Sequence, residues 1–124
     1  MCTFCKCNAE TLSHLFWECY YVNEIWESLE IWIKEKFNLD IPITQVDVLL
    51  GKEYKYYNVF NIIMCIVKKH IYRKRCKKEL PSFYGIKCEI VYYYKCEKCI
   101  YSKNNECDKF NQRWNMFPFD TEST

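Results

Sequence analysis

Cys2 and Cys5, with two residues between them, and His14 and Cys19, with four, place three thiols and one imidazole within the first 19 residues. Two cysteines so spaced form a tight loop that offers both sulfurs to one ion, and the loop's own backbone N–H groups can steady the thiolates. His14 and Cys19 then close a tetrahedron from a short helix for which Thr11 is the N-cap. Three thiolates and a neutral imidazole around Zn²⁺ carry a net charge of about −1 and fill its coordination shell. No position stays open for water, so such a zinc is structural and not catalytic. Cys7 is a spare thiol and the alternative to Cys5 as a ligand; Cys-x-Cys bites one ion less comfortably, so Cys7 is ranked as a non-ligand. The plainer reading is buried thiols beside a chance histidine, since free Cys often behaves as a small buried hydrophobe. A segment this short has little core of its own, so a metal would supply most of its stability.

A second chemical feature is a basic run: Lys68, Lys69, Arg73, Lys74, Arg75, Lys77 and Lys78. On a helix these cations can contact phosphates, with Tyr72 available to stack on a base. The alternative is a solvated helix end whose cations favour the C-terminal dipole. Cys96, Cys99 and Cys107, with Cys88 nearby, offer the makings of a second metal site, but no histidine accompanies them. Buried or lining thiols are the better reading there. Trp17, Trp26 and Trp32 fall at the spacing of core residues more readily than of a stacking platform. His70 has no acid or nucleophile in an evident motif and is read as a partly exposed helix residue.

The elements that must position these groups are helical. Val22, Ile25, Trp26, Leu29, Trp32, Ile33 and Phe37 recur at helical spacing and predict a helix over 21–37. Leu39-Asp40-Ile41-Pro42 breaks it. Thr44 and Asp47 start a short helix covering Val46, Leu49 and Leu50, and Gly51 stops it. A third helix is predicted over 57–78, with Phe60, Ile63, Met64, Val67 and Ile71 along one stripe that Arg75 extends. Its first half is apolar nearly all round and should be deeply buried. Pro81 and Ser82 punctuate, Ser82 as N-cap, before a fourth helix over 83–103. Asn104-Asn105 is a break. The stretch 108–116 is either one more short helix or a tail, and Phe117 onward reads as frayed.

Composition bounds the answer. The 124 residues suffice for one domain, half are hydrophobic, 19% are aromatic, and Gly and Pro number only 2 and 3. That is globular, and too poor in turn residues for an all-β sandwich or barrel. Ten cysteines would suit a disulfide-stapled secreted domain. The amino end, Met1-Cys2-Thr3-Phe4-Cys5-Lys6-Cys7, has no basic and apolar leader pattern. A reducing intracellular compartment, cytoplasm and/or nucleus, is therefore expected, with thiols free or on metal. The longest apolar run, 59–67, is interrupted by Asn61 and is too short to span a bilayer. Charge is lopsided: residues 1–67 hold five Lys/Arg against nine Asp/Glu, and residues 68–124 hold thirteen against seven. An anionic partner would meet the second half.

The order Cys2-Thr3-Phe4-Cys5, then Glu10-Thr11-Leu12-Ser13-His14-Leu15-Phe16-Trp17-Glu18-Cys19, resembles the Cys-x2-Cys…Glu-Thr-x2-His-Leu-Phe-x2-Cys signature of LINE-type non-LTR retrotransposon polyproteins. The likeness continues through the Trp-bearing stretch 22–32, Asp47-Val48-Leu49-Leu50-Gly51, the stretch Lys68-Lys69-His70-Ile71-Tyr72-Arg73-Lys74-Arg75-Cys76, and Lys103-Asn104-Asn105 with Trp114. It thus covers nearly the whole chain. In that family the signature marks the zinc-binding region downstream of the reverse transcriptase domain, and its ligands fall here on Cys2, Cys5, His14 and Cys19. The resemblance implies binding of template RNA or target DNA during target-primed reverse transcription. No catalytic Asp-Asp pair of a reverse transcriptase is present, so no enzymatic activity is expected; the chain resembles a C-terminal fragment.

The expectation is a mainly α protein: a CCHC zinc-knuckle segment over 1–20, a domain of about four helices over 21–116, and a disordered tail over 117–124. RNA and/or DNA are the expected partners, with no membrane and no small-molecule substrate. The alternative is a docking module that packs on an upstream polymerase domain and binds no nucleic acid alone.

Overall fold

The structure, a computed structural model, describes residues 1–119, and every regular element among them is helical. A π turn at His14–Glu18 leads into α1 (Tyr20–Phe37); α2 (Gln45–Leu50), a 3-10 turn (Lys55–Tyr57), α3 (Asn58–Lys77), α4 (Phe83–Lys103) and α5 (Cys107–Arg113) follow. The predicted helices are all present, and the ambiguous stretch after Asn105 supplies the additional α5. No helix among the described residues is long and apolar enough to cross a membrane.

Local chemistry sets the ends. Asn38 and Lys78 adopt left-handed backbone at φ 55° and 59°, terminating α1 and α3. At α3 the Glu79 N–H returns to the Lys74 carbonyl at 3.0 Å, a Schellman-type closure. Thr44 and Asp47 form a reciprocal capping box on α2. Gly51 then turns away at φ 82°, where a side chain would be strained. The Ser82 hydroxyl accepts from the Gly85 N–H at 3.2 Å and caps α4. Asn61, which interrupts the apolar face of α3, brackets Lys52: its carboxamide meets the Lys52 N–H and carbonyl, each at 2.9 Å.

One contiguous core joins the amino-terminal segment to the helices. Phe4 and Leu15 belong to the same cluster as Ile25, Leu29, Ile63 and Ile90, so residue 20 does not divide two cores. Burial differs from expectation at α2, where Val48 is the residue turned inward, whereas Val46, Leu49 and Leu50 face solvent. Of the four tryptophans, Trp26 and Trp114 are buried, while Trp17 and Trp32 pack partly buried against the core.

Two further corrections concern aromatic and polar burial. Phe117 and Phe119, read as frayed, are 1% and 4% exposed. Phe119 lies 4.9 Å from Phe37, 5.5 Å from Trp32 and 5.7 Å from Tyr94 between ring centroids, and Phe117 lies 5.4 Å from Phe37. Phe119 thus fills the space between α1 and α4 and Phe117 that between α1 and α3, where it stacks on Phe60, a gain that offsets the cost of ordering a short segment. The rest of the expected tail, 120–124, lies outside the described residues.

His70, expected to be partly exposed, is 2% exposed. Its Nδ1 meets the Glu89 carboxylate at 2.7 Å, its Nε2 accepts from the Ser82 N–H at 3.1 Å, and Arg73 pairs with the same Glu89. The ring thus ties α3 to the first turns of α4. A Cβ on Gly85 would lie 3.2 Å from His70 Cε1, so glycine is what lets α4 approach. Ser82, His70 and Glu89 match a nucleophilic triad in residue type only. The Nε2 lone pair is committed to a backbone amide and the Ser82 hydroxyl to capping, so no base faces a nucleophile.

His70→Ala should destabilise the fold by about 2–3 kcal/mol, because it opens a cavity and strips partners from Glu89 and the Ser82 amide. A urea titration showing a lower midpoint at unchanged slope checks this.

Candidate metal centre

The first seven residues after Met1 form a closed loop. The Cys2 N–H donates to the Asn8 carbonyl at 2.7 Å, and the Lys6 N–H to the Cys2 carbonyl at 2.9 Å. Lys6 takes left-handed backbone at φ 58° to turn the chain immediately after Cys5. Phe4, between the two cysteines, is buried and anchors the loop.

The second half of the centre depends on a change of helical winding. Residues five apart on an α-helix point about 140° away from each other, so His14 and Cys19 could not share a ligand. The chain instead makes a π turn, closed by the Cys19 N–H on the His14 carbonyl at 2.9 Å. Its i→i+5 bonding brings the two side chains onto one side. Thr11 caps this turn as the sequence predicts, its hydroxyl accepting from the His14 N–H at 3.0 Å. Side chains of α1 complete it: Trp26 Nε1 donates to the Phe16 carbonyl at 2.7 Å and Asn23 Nδ2 to that of Trp17 at 3.2 Å. Helix-end carbonyls left without partners would be costly here.

The outcome is a group of four potential ligand atoms, from Cys2, Cys5, His14 and Cys19, all within 4.8 Å of one another. Cys2 Sγ lies 3.8 Å from Cys19 Sγ, and Cys5 Sγ lies 3.3 Å from His14 Nε2. A disulfide needs about 2.05 Å between sulfurs. Sulfurs sharing a tetrahedral ion at about 2.3 Å sit about 3.8 Å apart, and a sulfur and an imidazole nitrogen about 3.6 Å. These two distances lie close to those of a shared ion. Cys2, His14 and Cys19 are buried and Cys5 partly so. Glu18 Oε1 lies 3.9 Å from His14 Nδ1, beyond hydrogen-bond range but on the ring's outer nitrogen.

The electrostatics of the sulfurs differ by origin. The Cys7 amide, with help from the His14 ring and the Asn8 amide, pulls the Cys5 thiol down to about 6 against the effect of burial. Burial pushes the Cys19 thiol up to about 11, although the amides of Tyr21 and Val22 at the start of α1 pull it down. A bound cation supplies the positive charge that buried thiolates need.

Glu10 is the functional residue that spacing alone does not single out. Its carboxylate accepts from the Thr3 N–H at 2.9 Å and hydroxyl at 3.0 Å, and from Arg75 Nε at 2.7 Å. Arg75 and Thr3 hold the Glu10 carboxyl down at about 2. This bridge fastens the cysteine loop to α3. On the other side, Gln45 of α2 bonds Ser13.

Other predicted site residues are placed differently. Arg75 is paired with Glu10, Arg73 with Glu89 and Lys74 with Glu79, while Lys68 donates to the Val48 carbonyl at 2.8 Å. Lys69, Lys77 and Lys78 are exposed, and Tyr72 is exposed with Arg75 against its ring. Cys7 is exposed and outside the metal group. Cys88, Cys96, Cys99 and Cys107 are exposed too, and among the described residues they join no such group.

Glu10→Gln should lower stability by about 1–2 kcal/mol at pH 7. The Glu10 contribution is fully present above the ordinary carboxylate range and is lost as pH falls through it toward about 2. The gap between parent and variant in urea denaturation should therefore narrow on acidification.

No family model, no curated protein and no solved structure matches the chain.

Proposed function

We propose that Cys2, Cys5, His14 and Cys19 hold a structural Zn²⁺, and that the protein is a nucleic-acid-binding zinc domain of the kind found at the C-terminal end of LINE-type retrotransposon polyproteins. The observation that carries the zinc is the convergence of four ligand atoms within 4.8 Å, three sulfurs and one nitrogen. Thiolates with imidazole favour zinc over hard cations, which take oxygen ligands. With four protein ligands the ion would fasten the loop to α1 and leave no open position for catalysis. Support for the nucleic-acid role comes from the signature resemblance and from the cationic second half of the chain. The role is assistance in binding template RNA or target DNA, with the polymerase chemistry elsewhere.

Metal analysis of purified protein should return one zinc per chain, Cys7→Ser should keep it, and His14→Ala should lose it. A nucleic-acid titration of the zinc-loaded protein should show affinity falling steeply with salt, as phosphate contacts require. No zinc in the parent protein overturns the metal assignment; no binding of RNA or DNA at low salt overturns the role.

A docking module is favoured by a different observation. Val46, Leu49 and Leu50 form an outward apolar face on α2, which packs beside the π turn, and several cations of α3 are used inside the fold. Retained zinc together with failure to shift any RNA or DNA probe would select this reading.

A further inference from the structure

Helix α4 contains two carboxylates, and both are engaged by the fold. Glu89 binds His70 and Arg73. Glu97 accepts from Trp114 Nε1 at 2.7 Å and pairs with Arg113. At 100° per residue, Tyr84, Cys88, Tyr92, Lys95 and Cys99 fall within an arc of about 80°, opposite Glu97. All five are exposed, Tyr84 by 75% and Tyr92 by 70%. Lys103 continues the same side for another turn. Along its second half the stripe opens into a cleft of about 630 Å³ between α4 and α5, whose lining includes Lys95, Lys98, Ser102, Phe110 and Asn111 and, among the described residues, no carboxylate. A separate hollow that shares Cys107 is lined by Asp108 and the Glu106–Lys109 pair.

Exposed rings between ammonium groups, on a track that holds no carboxylate among the described residues, have a specific chemical complement. A single strand offers unpaired base faces for the rings and phosphates for the cations, whereas a duplex hides its base faces in the stack. The basic run of α3 serves this less well, since Lys68, Arg73, Lys74 and Arg75 already have partners within the fold. We infer that the outward face of α4, with the α4–α5 cleft, is a contact surface for single-stranded nucleic acid, read by Tyr84 and Tyr92 through stacking and by Lys95 and Lys103 through phosphate. The inference rests on the nucleic-acid reading above and narrows it to one surface and one form of substrate.

Fluorescence anisotropy with labelled 12-mers of uridine and of thymidine, and a 12-base-pair duplex, tests it on the zinc-loaded chain. The single strands should bind more tightly than the duplex. Tyr84→Ala with Tyr92→Ala should lower single-strand affinity by about 100-fold, on the order of tenfold for each ring. Lys95→Gln with Lys103→Gln should reduce the salt slope by about 0.7 for each phosphate no longer neutralised. All four side chains are exposed, so circular dichroism should match the parent. If these variants bind like the parent while Lys77→Gln with Lys78→Gln loses affinity, the nucleic-acid role stands and the α4 surface is overturned. If no probe binds the parent chain, both fall.

Discussion

The loop carrying Cys2 and Cys5 is held to the body of the protein at few points: the burial of Phe4, the Glu10 bridge to Arg75, and the meeting of its sulfurs with His14 and Cys19. The last of these constrains the most. It demands that a residue of the π turn and one at the start of α1 face the same point, which an α-helical turn would forbid at that spacing. The π winding meets that demand, and the capping Thr11 and the hydrogen bonds of Trp26 and Asn23 support the turn.

The same logic runs outward into the bundle. Arg75 lies near the end of α3, so fastening the loop to it couples the amino end to the longer helices. His70, one turn and a half earlier, couples α3 to α4 through Glu89 and the Ser82 amide. Phe117 packs against α1 and α3, and Phe119 against α1 and α4. Polar contacts fix how the helices are joined, and aromatic packing fills what they enclose.

Much of this is readable in the chain, and the exceptions share a cause. Helix positions follow from apolar recurrence and from caps such as Thr44 and Ser82, which are local signals. The four metal-competent side chains are legible because their spacing is short and their types are distinctive. Glu10, by contrast, finds Arg75 across 65 positions, and His70 finds Glu89 across 19. No local pattern encodes such pairings, so Arg75 resembles a phosphate ligand and His70 a surface residue. Phe117 and Phe119 flank a proline and show no periodicity, which makes a packed segment resemble a tail. On α2, six residues are too few for period alone to decide which apolar side chain turns inward.

X-ray absorption at the zinc edge of the loaded protein measures the proposed coordination directly. Three sulfurs at about 2.3 Å and one nitrogen at about 2.0–2.1 Å are expected, unchanged by Cys7→Ser. A shell with oxygen ligands, or one that survives His14→Ala without change, would contradict the four-ligand centre.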